Sequence, residues 1–174
     1  IVSSGLALGA LGYLFVVFFG SRNDLLLMTS FMFLGLSVGA AQTISNDLIL
    51  SSVPANKAGA ASAISETAYE FGTVLGTVVI GGMLTAIYRA QVTVPTGLNA
   101  DAAHAAGETL GGATAVAGQL PSDLSAELLH SAHAAFDSGV LVTATFSAVL
   151  LAVLSVFTYR MLRSAPAELE KAEH

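Results

Sequence analysis

Charge is absent from four long stretches of this chain: residues 1–19, 25–46, 71–88 and 138–159 contain no Asp, Glu, Lys or Arg. Between them the sequence is dominated by Leu, Val, Ile, Phe, Ala and Gly in runs too long for the strands of a soluble sheet. Crossing a bilayer takes roughly 20 apolar residues, at about 1.5 Å of rise each in a helix. The pattern predicts four membrane-spanning helices over about 1–19, 25–50, 58–88 and 137–162, so that residues 1–163 form an all-α, polytopic transmembrane helical bundle.

The breaks between the spans have turn chemistry. "GSRND" after residue 19 is a Gly/Asn/Asp turn joining antiparallel helices, and Pro54 in "SSVPANKAG" disfavours helix at the residue before it. The connector 89–136 is too long to be structureless between packed helices. It predicts a helical hairpin outside the membrane: Asn99 is placed to cap an Ala-rich helix, and "SDLSAELLHSAHAAF" has Leu124 and Leu128 at helical spacing behind Ser122. With four crossings, Lys57, Arg160, Arg163 and Lys171 fall on one side and Arg22 and Arg89 on the other. The positive-inside rule then makes the tail, 164–174, cytoplasmic and the 89–136 hairpin extracellular.

Composition agrees with a lipid environment. Of 174 residues, 54% are hydrophobic and 10% charged, with a mean hydropathy of +0.75, where soluble domains carry about 25% charged residues. The net charge of -6 is no sign of a nucleic-acid partner, which requires a basic patch. Five of the twelve acids, Asp101, Glu108, Asp123, Glu127 and Asp137, belong to the connector or its edge. Their field either biases cations near the outer mouth or merely solubilises a cover over it. With no cysteine, disulfides and thiolate chemistry are excluded. The chain opens on Ile1 in mid-pattern, which predicts a piece of a longer polypeptide.

Against that background "SETAYEFG" stands out, because Glu66 and Glu70 lie one turn apart in an apolar stretch. At about 100° per residue they share a helix face, and extending it gathers Ser62, Thr73, Thr77 and Thr85. Facing lipid, a charge near the bilayer centre costs from about 2.5 to more than 10 kcal/mol, so the stripe is expected to face protein or water. Two carboxyls about 6 Å apart in a poorly hydrated cavity do not easily both carry charge. Such a pair holds a proton or an organic cation, and the two exclude each other. The other reading puts both acids at the inner membrane boundary among headgroups: Glu70 is about 18 Å from Ala58 and about 27 Å from Tyr88 along the helix, which leaves its depth open.

Other positions carry weaker signals. Ala68, Gly72 and Gly76 form a small-residue face for close helix approach, as do Gly5/Gly9 and Gly35/Gly39. Tyr69 is a candidate to line the cavity or stack on a flat cation; Phe71 is better read as packing. Asp47 is an interfacial acid or part of an inner mouth, Asp137 an N-cap for the last span. His130 and His133 share a face but lack a third ligand, so no metal site and no cofactor are expected.

The segment "SSVPANKAGAASAISETAYEFGTVLGTVVIGGMLTAIYR" resembles the penultimate helix and preceding loop of the fourteen-helix drug:proton antiporters of the major facilitator superfamily. The likeness continues through the long helical loop to "AHAAFDSG" at the entry to the last helix. The resemblance implies that the chain holds helices 11 to 14, with Glu66 and Glu70 in proton coupling and cation recognition. Glu70 stands where a quaternary-ammonium exporter of the family has a shorter Asp, which bears on reach and substrate preference. The implied function is proton-coupled efflux of cationic or amphipathic drugs across the cell membrane, by a protein that is not an enzyme. Its partners would be protons, such small molecules, the lipid bilayer and the N-terminal helices of the same transporter, with possible cavity-lining roles for Ser62, Tyr69, Thr73 and Thr77. The alternatives are a proton-coupled exporter of lipids or metabolites, and a non-transporting membrane assembly subunit.

Overall fold

A computed structural model describes residues 2–19 and 24–164. The "GSRND" turn, apart from Asp24, and the tail beyond Ser164 lie outside the described residues. Among the described residues there are six α-helices: α1 (Val2–Phe19), α2 (Asp24–Ser51), α3 (Ala58–Gln91), α4 (Ala100–Glu108), α5 (Leu110–Ala117) and α6 (Ser122–Ser164). A 3₁₀ turn, Ala55–Lys57, follows Pro54. Four of the helices, α1, α2, α3 and α6, are long and apolar enough to cross a membrane. No strand occurs among the described residues.

The chain divides into two compact units, Ile1–Phe71 with Ala144–His174, and Gly72–Thr143. In the first, α1 packs along α2 through small residues. Gly5, Gly9 and Gly12 are buried. A Cβ on Gly9 would meet Ser37 Oγ at 2.5 Å and Leu151 at 3.1 Å, and one on Gly12 would meet Leu34 at 2.9 Å. The close approach lets Ser37 Oγ donate to the Gly5 carbonyl across the helices at 2.7 Å, while Ser155 of α6 donates to Ser3 O at 2.8 Å. Such small-residue packing with interhelical hydroxyl bonds is how helices associate where lipid removes the hydrophobic drive. At Gly35, Gly39, Gly72 and Gly76, by contrast, a Cβ would meet nothing within 4 Å.

The second unit has a small-residue core around Leu128, Ala106, Ala132 and Ala113, closed by Tyr88 of α3. Asn99 caps α4 by accepting from Ala102 N at 2.8 Å, as its position in the sequence predicts. Thr109 then caps α5, accepting from Gly112 N at 3.0 Å. Ser122 does not cap a helix but is the first residue of α6, whose opening hydrogen bond runs from Ser125 N to Pro121 O. Likewise Asp137 is no N-cap, because α6 continues through it. At 43 residues α6 is about 65 Å long, roughly twice the hydrocarbon thickness, so one helix supplies both connector and span.

Candidate functional site

Besides the interhelical bonds of Ser37 and Ser155, hydroxyls in the apolar helices are satisfied locally. Thr29, Ser30, Thr43, Thr67, Thr85 and Thr143 each donate to the carbonyl four residues earlier, at 2.8–2.9 Å. A carboxylate lacks that option, since it only accepts and mid-helix N–H groups are already used in the backbone ladder. Glu66 and Glu70 therefore need a proton or an outside partner.

Both carboxylates lie on α3 in the first unit and both are exposed in this chain, as is Ser62 on the same face. No ion pair reaches either of them among the described residues. Thr73 and Thr77 follow on α3 in the second unit and are also exposed. Several apolar residues of α3 are equally uncovered: Ile64 is 72% exposed, Phe71 66% and Val78 65%. An apolar helix that exposes such groups is suited to lipid or to further protein, and a charge on it is costly within lipid.

The opposite face of α3 meets α2. Ile49, Ala61, Ile64, Ser65, Ala68 and Tyr69 line a hollow of about 490 Å³, and Tyr69 Oη donates to Gln42 O at 3.4 Å. Positions 61, 64, 65 and 68 form one helical face, with Glu66 and Glu70 about 130–170° around from its centre. The hollow is thus apolar and does not contain the acids, and Tyr69 lies with the hollow about a quarter-turn from Glu70. Asp47 is exposed near the end of α2. No group of three His, Cys, Asp or Glu suited to a metal occurs among the described residues.

Four membrane-length helices, with hydroxyls folded back on their own helices, define a polytopic α-helical membrane protein. Over 151 residues, 85% of its length, the chain is 50% identical to the multidrug efflux pump LfrA of Mycolicibacterium smegmatis, and over 132 residues, 76% of its length, it is 33% identical to the methyl viologen resistance protein SmvA of Salmonella typhimurium. Over most of its own length the chain is thus similar to a part of each of these two proteins. It spans about 30% of the length of the first relative and 27% of the second. Neither a protein-family profile nor a solved structure matches it.

Proposed function

We propose that this chain forms part of a proton-coupled exporter of cationic and amphipathic drugs, and that Glu66 and Glu70 are its proton- and cation-binding groups. The observation that carries the reading is the pair of exposed carboxylates, without a cation partner among the described residues, on a helix apolar enough to span a membrane. The remaining helices of the transporter cover that face and enclose a cavity, with Ser62, Thr73 and Thr77 lining it and Tyr69 at its edge. Protonation neutralises the pair and releases the cation; loss of the proton restores the site. A relative named for methyl viologen resistance supports a cationic substrate, because methyl viologen is a flat dication. The protein works in the cell membrane with its tail in the cytoplasm and the 89–136 region outside, in keeping with Lys57 and Arg160 falling on one side. Its work is transport, without bond chemistry or a cofactor.

Everted vesicles containing the full-length protein test the assignment. Glu66→Gln and Glu70→Gln, each expressed at the normal level, are expected to abolish ethidium-driven proton movement. Unchanged movement in both variants overturns the roles given to them.

A further inference from the structure

Residues 93–121 join two membrane-length helices and would ordinarily be free to move with respect to either. Here consecutive residues of α3 hold them. The Tyr88 side chain is 2% exposed, and its hydroxyl donates to the Ala106 carbonyl at 2.9 Å. Beside it the Arg89 guanidinium pairs with the Glu108 carboxylate, which His104 also approaches at 3.9 Å. Both acceptors sit in the last turn of α4, where Ala106 O has few partners within its own helix. Just past α3, the N–H of Thr93 donates to Ser131 Oγ of α6 at 2.7 Å. Val92, Val94 and Leu98 pack on the same core as Ala102, Leu110 and Leu120. Four independent fastenings, two on α4, one on α6 and one apolar, thus act at the end of α3.

We propose that α4 and α5 form a rigid arm of α3, locked by Tyr88 and Arg89, which stays docked on that helix throughout the transport cycle. The arm is then no lid. When the end of α3 that bears Tyr88 and Arg89 moves, α4 and α5 move with it as one body, and a molecule gripping the arm from outside resists that movement. Cooperative packing favours this behaviour, because undocking would expose the 2%-exposed Tyr88 ring and leave the Ala106 carbonyl without its donor.

The test rests on the efflux reading for its signal and uses the full-length protein with no other cysteines; this chain contributes none of its own. Arg89→Cys with Glu108→Cys is bridged by a short, reducible bis-thiosulfonate reagent, and Thr93→Cys with Ser131→Cys, a second pair in which the Thr93 N–H meets the Ser131 side chain, is oxidised directly. Ethidium efflux is read before bridging, after it and after reduction. The expected result is efficient bridging of both pairs and efflux within about twofold of the unbridged protein. Loss of efflux by about tenfold or more on bridging, restored by reductant, or failure of both pairs to bridge, overturns the proposal. If the unbridged parent protein exports nothing, the efflux reading fails, and bridging yield in the membrane still decides whether the arm is docked.

Discussion

Glycine at a helix contact is replaceable only as far as its neighbour can give way. At Gly9 the neighbour is Ser37 Oγ, pinned by its bond to Gly5 O, with Leu151 behind it. At Gly139 the tightest neighbour is the terminal methyl of Leu84, which can rotate aside, with the Leu84 carbonyl oxygen at 3.3 Å needing a shift of only a few tenths of an ångström. Gly9→Ala is therefore expected to destabilise the full-length protein by about 1–3 kcal/mol, and Gly139→Ala by less. Thermal unfolding in detergent, followed by chromatography, reads the difference; equal losses contradict the contact described. The glutamates invert this logic, since they have too few neighbours. Their shared face was legible in the spacing of Glu66 and Glu70, because four residues make slightly more than one turn. The direction of that face was not, because helical period fixes which side chains lie together without saying which protein covers them.

Helix ends were legible where a side chain makes the cap. Asn99 stands just before an Ala-rich run and does cap α4. The Thr109 cap is easier to overlook, although Thr three residues ahead of Gly112 carries the same signal. Asp137 suggests a helix start near the last span, yet α6 passes through it: Asp137 is exposed within the helix rather than at its end, and Gly139 beside it is buried in the contact with Leu84. Local chemistry marks possible ends, and tertiary contact decides which are used. Asn99→Ala is expected to cost the α4–α5 unit about 1 kcal/mol, seen as faster amide exchange over residues 100–108 with α1 unaffected. Tyr88→Phe keeps the buried ring but leaves Ala106 O without its donor, and should loosen the same amides by about 1–3 kcal/mol. Exchange unchanged in either variant contradicts the bond assigned.

For the molecule as a whole, lipid-length helices were readable from charge-free runs because a bilayer penalises every interruption. Their mutual packing was only half readable. Of the small-residue faces, Gly5 and Gly9 receive α2, whereas a Cβ at Gly35, Gly39, Gly72 or Gly76 would meet nothing within 4 Å among the described residues of a chain that covers about 30% of the length of its pump relative. The account therefore depends on what happens at Glu66 and Glu70 when the whole transporter surrounds them. Proton release on cation binding measures that directly. Ethidium added to the purified full-length protein in weak buffer near neutral pH is expected to expel protons from the wild type and none from the Glu66→Gln/Glu70→Gln double variant. Equal proton release from both proteins, with equal ethidium affinity, would contradict the central claim.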